Sequence, residues 1–168
     1  MTDRYYDIEE VVDKVIEVLE AELPAAITQI NTEKGDLPLS NPEKYTFGSR
    51  VIDPNIMKGK STVEVLAESE VGLEFNQGET DQEVYLDVNL IAWEEVPETV
   101  ERKILRYARA LRKVIDDNSF TKIIIPKPDN VKDSVVGELR YGLMMLLGDI
   151  YSKTVTVRFR LRTIYTYE

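Results

Sequence analysis

Two segments of the chain place apolar residues at helical spacing. In residues 7–22 they recur every three or four positions, which predicts an amphipathic helix with one buried stripe. Asp7 is the predicted N-cap, with Glu10 as its capping-box partner. Pro24 predicts that this helix ends near Glu22 or kinks there. The stripe consists of Ile8, Val11, Val12, Val15, Ile16 and Leu19.

The second helix is predicted to start at Pro97, a residue favoured in the first helical turn, and to end near Asp117. Its apolar stripe is Val100, Ile104, Tyr107, Ala108, Leu111 and Ile115. The side predicted to face solvent is basic and carries Arg102, Lys103, Arg106, Arg109, Arg112 and Lys113.

Strands are predicted from alternation of apolar and polar residues. Residues 62–75 and 82–93 form one pair, and the polar residues 76–81 with Gly78 favour an antiparallel hairpin. Residues 135–147 and 153–167 form a second pair, joined around Gly148 and Asp149. Residues 143–147 are also compatible with a short helix.

The predicted order is therefore helix, hairpin, helix, hairpin. Separate blocks of helices and antiparallel strands indicate one α+β domain over residues 1–168, with two helices packed on one face of a mostly antiparallel sheet. Residues 31–60 are predicted to be a long loop insertion, with a short strand near residues 45–52. A loop of that length is usually functional or orders against a partner.

Composition narrows the possible chemistry. The chain has 168 residues, no cysteine and no histidine, and a formal net charge of −10. Disulfides, thiolate catalysis and the commonest general base are therefore excluded. The sequence has no signal peptide pattern and no apolar run of the roughly 20 residues that a spanning helix needs, so a soluble protein without membrane contact is expected.

The sequence nominates no catalytic, cofactor-binding or metal-binding residue. Gly59, Lys60 and Ser61 resemble the end of a phosphate-binding loop, but the first glycine of that motif is replaced by Pro54, and a strand pattern follows. Asp and Glu number 31, so chance carboxylate pairs are inevitable. Trp93 is interpreted as a core residue between strand and helix, with a binding anchor as the alternative.

The last strand carries Val155, Val157, Phe159 and Leu161 on one side and a row of arginines on the other. Like charges at this spacing repel unless they are paired. Partners on the same sheet face, on a neighbouring copy, or on DNA are the three alternatives, DNA being the least compatible with an acidic chain. The acids considered on the same face are Glu83 and Asp87, or Glu64 and Glu68. The candidate subunit-interface residues are therefore Arg158, Arg160, Arg162, Glu83 and Asp87.

The run "EVYLDVNLIAWEEVPETVERKILRYARALRKVIDD" followed by "TVTVRFRLRTIYT" resembles the tail terminator (tail completion) proteins of tailed bacteriophages. The likeness covers most of the chain in element order and two short stretches in residue pattern, "YARALRKVI" and "VTVRFRLR". Residues 31–60 have no counterpart in it.

The resemblance implies a non-enzymatic virion protein of the neck, without cofactors. Such a protein forms a ring, usually a hexamer, that caps the tail tube and joins it to the head connector after assembly in the host cytoplasm. DNA would pass through the lumen without specific binding, which an acidic surface favours. Another head–tail connector or minor tail protein is the first alternative. A small cytosolic enzyme or ligand-binding domain is the second.

Overall fold

The computed structural model describes residues 8–48, 53, 56–76, 79–117 and 131–166, with the backbone alone for strand residues 70–76, 79–82, 131–137 and 162–166. The helices and strands follow in the order α1 (Ile8–Glu33), β1 (Lys44–Phe47), β2 (Ser61–Asn76), β3 (Glu79–Glu94), α2 (Pro97–Asp116), β4 (Val131–Tyr141), β5 (Met145–Leu147) and β6 (Ile150–Thr166).

The predicted α+β class is confirmed. The strands form one sheet in the order β1, β2, β3, β6, β4, and β5 also pairs with β6. β1 runs parallel to β2, whereas the other pairs are antiparallel. α2 packs on β3 and β6, and α1 packs on α2, β1 and β2. The apolar residues of β3 and β6 join those of both helices in one buried core.

Helix α1 does not end near Glu22, as Pro24 had suggested. It continues through Pro24 to Glu33. A proline inside a helix costs about 3 kcal/mol. The second half of the helix buries Leu23, Ile27 and Ile30 in the core, and each such side chain contributes about 1.5–3 kcal/mol, so packing outweighs the loss. The predicted N-cap, Asp7, lies outside the described residues.

The predicted loop starts later than expected, because α1 includes residues 31–33. Its first part is attached to both helices. The side chain of Asn31 accepts from the Leu39 N–H at 2.7 Å and donates to the Leu39 carbonyl at 2.8 Å. Arg106 donates to the Leu37 carbonyl at 2.6 Å, and the buried Tyr107 hydroxyl donates to the Ser40 carbonyl at 2.7 Å. The short strand within this loop is confirmed as β1, within the described residues.

Helix α2 begins at Pro97 as predicted. Its basic side is not uniformly solvated. Lys103 and Arg106 are mostly buried because Lys103 pairs with Glu94, and Arg106 pairs with Asp36 at 2.7 Å. Two cations of this helix therefore form ion pairs with other parts of the chain.

The β2–β3 hairpin is confirmed as antiparallel. The predicted strand over residues 135–147 is instead two strands along β6, interrupted at Gly142, Leu143 and Met144. The Gly142 N–H still donates to the Thr154 carbonyl at 2.8 Å. Gly148 has a φ of 63°, which a two-residue turn with Asp149 requires. Residues 145–147 are a strand, so the helical alternative is wrong for them.

Strand β6 lies between β3 on one side and β4 and β5 on the other. The last strand is therefore an interior strand of the sheet. The edges among the described strands are β1 at one side and β4 with β5 at the other.

Candidate assembly surfaces

The face of the sheet that points away from the helices carries the arginine row, and we call it the polar face. It comprises Glu68, Glu83, Tyr85, Asp87, Glu138, Arg140, Arg158 and Arg160. Successive residues of a strand point to opposite faces, so the apolar alternation that builds the core leaves these side chains on the other side.

Arg158 is the centre of the polar face. Its Nε lies 2.7 Å from Asp87 Oδ1, and its Nη2 lies 2.8 Å from Asp87 Oδ2. Glu68 on β2 lies 2.8 Å from the same guanidinium. Asp87 is only 8% exposed. The bidentate contact with Asp87 raises the pKa of Arg158 above its usual value, so the guanidinium remains charged.

Arg160 makes the second cross-strand pair. Its Nη1 lies 3.0 Å from Glu83 Oε1, and Tyr85 donates its hydroxyl to Glu83 Oε2 at 3.0 Å. The hydrogen bond to Glu83 raises the pKa of the Tyr85 hydroxyl. The side chain of Glu83 thus accepts a hydrogen bond at each of its oxygens, which offsets the cost of removing a nearly buried carboxyl group from water.

At the outer strand, Arg140 lies 2.6 Å from Glu138, and both side chains are largely exposed. The hydrogen bond from Arg140 lowers the pKa of Glu138. Arg162 is opposite Glu83 in the backbone register, and its side chain lies outside the described part.

Two of the three arginines of the row thus pair with the same-face acids that the sequence suggested, Asp87 and Glu83. Glu68, on β2, also pairs with Arg158. Glu64, on the same strand, is buried. Arg158 and Arg160 remain partly exposed. A contact of these five candidate residues with a neighbouring copy stays a prediction.

At one end of the sheet lies a small second core. Met57, Trp93 and Ile150 are buried together, with Ile91 packed against them. Trp93 is 4% exposed, which agrees with its interpretation as a core residue. Lys60 of the phosphate-loop-like sequence pairs with Glu43 at 2.6 Å, and Ser61 starts a strand where that motif needs a helix.

Residues 141–147, which we call the apolar edge segment, were not predicted as a functional surface. They end β4 and form β5 at the sheet edge. Leu143 is 89% exposed, and Met145 and Leu146 are more than half exposed. The available signal was the run Leu-Met-Met-Leu-Leu, which breaks the apolar–polar alternation that a strand with one solvated face shows.

A groove of about 330 Å³ lies between α1 and α2, and we call it the helix groove. Leu105, which is half exposed, provides its apolar surface, and the buried Ile30 also lines it. Four cations surround it, of which three pair with acids of the same chain: Arg102 with Glu98, Arg106 with Asp36 and Arg109 with Glu33. The fourth, Lys34, is exposed and has no ion-pair partner among the described residues.

The described ranges contain neither a metal-binding cluster nor a membrane-spanning helix. No group of three or more acidic side chains there could hold a metal ion. None of the helices in these ranges is long and apolar enough to cross a membrane.

No family model and no curated protein matches the sequence. Among solved structures, the chain is similar to a chain in the virion of a native gene transfer agent particle, with a TM-score of 0.47 and 11% sequence identity. The match covers 86% of this chain and 93% of that chain.

Proposed function

We propose that this protein is a structural virion subunit of the neck, a tail terminator whose copies form a ring on the head-proximal end of a tail tube and join it to the head connector. Two stretches support the proposal by their likeness to that family. "YARALRKVI" belongs to α2 and "VTVRFRLR" to β6, and these elements pack together in the core.

The observation that carries the proposal is the apolar edge segment. Burying apolar surface that was exposed to water stabilises a complex by about 25 cal/mol per Å². An exposed apolar patch therefore favours association. The apolar edge segment lies at a sheet edge that no other described strand covers, where backbone N–H and C=O groups can make contact with another chain. An assembling subunit needs such a surface to contact its neighbours.

The polar face also supports the proposal, because its charged groups are already paired. Its charges are engaged with one another, at distances of 2.6–3.0 Å. Ion pairs of this kind hold a surface in one shape, and they leave few groups to bind a small substrate. The net charge of −10 would let DNA phosphates pass along the ring without sticking.

The test has two parts. Purified protein is expected to form closed rings with a central opening, seen by negative-stain electron microscopy, with a single mass by light scattering. Added to assembled tail tubes, it is expected to cover one end and stop their elongation. Binding to portal-bearing heads but not to tube ends would replace the tail terminator with a connector. A protein that stays monomeric and binds neither would refute the proposal.

A further inference from the structure

We propose that the apolar edge segment of one copy docks in the helix groove of the next copy, with Asp149 of the first meeting Lys34 of the second. The inference rests on the proposed function, because it assigns the contact by which copies join.

The first partner surface is apolar and projects from the sheet edge. Leu143 interrupts the edge between β4 and β5, and its side chain is almost fully solvated. Directly after the segment, the Gly148 turn presents Asp149. This carboxylate is exposed and lacks an ion-pair partner within the described ranges. The surface therefore combines several apolar side chains with a carboxylate that is unpaired among the described residues.

The second partner surface has the complementary composition. Its volume, about 330 Å³, is about twice that of a roughly 150 Å³ apolar cavity that accommodates benzene, so it can accept side chains of the size of leucine. The half-exposed Leu105 provides apolar contact. The three arginines around it pair with acids, so within the described residues Lys34 is the cation of this groove that can receive a carboxylate.

The two surfaces lie on different elements, one on the sheet edge and one on the helices. A contact between unlike surfaces is heterologous, so repeating it produces a ring when the rotation closes and a filament when it does not. This is the geometry that a terminator ring needs. A contact of the apolar edge segment with itself would instead yield a closed dimer.

The experiment uses the absence of cysteine from the natural chain. Two single variants, Leu143→Cys and Leu105→Cys, are purified separately, then mixed under mild oxidation. We expect a disulfide-linked heterodimer on a non-reducing gel. Asp13→Cys, on an exposed position of α1, replaces Leu105→Cys as the matched control and is expected to yield none.

Charge reversal provides the second readout. Lys34→Glu and Asp149→Lys should each weaken self-association at least tenfold, and the double variant should restore most of it. Lys44→Glu, another exposed lysine without a partner in the described ranges, should have little effect. Circular dichroism would verify that each variant folds.

The outcomes separate the two proposals. Rings that form without the heterodimer, or with unaltered affinity in the charge variants, refute this contact and leave the proposed function intact. A Leu143→Cys homodimer also refutes it. The contact is supported if the disulfide-linked heterodimer forms and the double charge variant restores association. If the protein then forms only filaments or dimers and no closed ring, the terminator ring is refuted. A wild-type protein that stays monomeric, forms no heterodimer and binds neither tube ends nor portal-bearing heads refutes both.

Discussion

The polar face and the apolar edge segment belong to the same sheet, yet their side chains are satisfied in opposite ways. On the polar face, Asp87 is nearly buried and receives two hydrogen bonds from Arg158. In the apolar edge segment, Leu143 is in water and contacts little. The arginines of the first region pair with acids of the same chain, whereas apolar side chains of the second are left exposed.

The difference shows how to interpret a charge row. Three arginines in a row on an acidic chain suggest a binding surface. Two of them, however, form ion pairs with acids on neighbouring strands. A solvated leucine run attracts less attention, because exposed apolar residues are common one at a time. Several together at an open strand edge are uncommon and indicate an interface.

The largest expected effect is on stability and concerns the polar face. Arg158→Ala leaves the mostly buried carboxylate of Asp87 without its bidentate partner. We expect a melting temperature lower by roughly 5–10 °C, the size that follows when a nearly buried charge loses its partner in a domain of this length. Thermal unfolding followed by circular dichroism measures it.

The matched control is Arg140→Ala on the same face, whose pair with Glu138 is exposed. Exposed pairs contribute little, so a change of less than about 2 °C is expected. Equal effects of the two variants would mean that burial does not determine how much each ion pair contributes to stability.

The next effect concerns assembly. Leu143→Asp places a charge in the apolar edge segment and should raise the dissociation constant of self-association at least tenfold, about 1.4 kcal/mol. The free energy of unfolding should stay within about 0.5 kcal/mol of wild type, because the side chain is exposed. Sedimentation and denaturant unfolding measure the two quantities. A variant that unfolds more easily and assembles normally would reverse the roles of the two regions.

Periodicity predicted most of the fold. Both helices, the β2–β3 hairpin and the turn at Gly148 and Asp149 follow from local patterns. Other features depend on contacts that no local pattern contains. The passage of α1 through Pro24 depends on core packing by Ile27 and Ile30, and the interior position of β6 depends on which strands meet after folding.

The candidate surfaces were predicted unevenly for the same reason. The alternation around Arg158 and Arg160 specified their sheet face, and facing acids on β3 could be named in advance. The helix groove could not be named, because Lys34 and Leu105 come together only when α1 packs on α2.

A smaller effect is expected at the opposite edge of the sheet. Tyr45 on β1 packs against the core, and its buried hydroxyl has no hydrogen-bond partner in the described part of the chain. Burial also raises the pKa of this hydroxyl. Tyr45→Phe removes an unsatisfied polar atom and keeps the ring, so unfolding should require up to about 1 kcal/mol more. A loss of stability would show that the hydroxyl has a partner in the native state.

The smallest effect is that of acid, because the carboxylates concerned are exposed. Hydrogen bonds from Gln29 and then Arg109 lower the pKa of Glu33, a hydrogen bond from Arg106 lowers that of Asp36, and one from Arg140 lowers that of Glu138.

Their ordinary pKa values are 4.5 for the two glutamates and 3.8 for Asp36. A carboxylate with a lowered pKa in the folded state contributes its stabilisation fully above the ordinary value and loses it as the pH falls through the folded value. Unfolding should therefore become easier below about pH 4.5. Asp36→Asn should reduce the difference in free energy of unfolding between about pH 7 and about pH 3. An unaltered difference would mean that the pair of Arg106 with Asp36, beside the helix groove, does not contribute to the pH dependence.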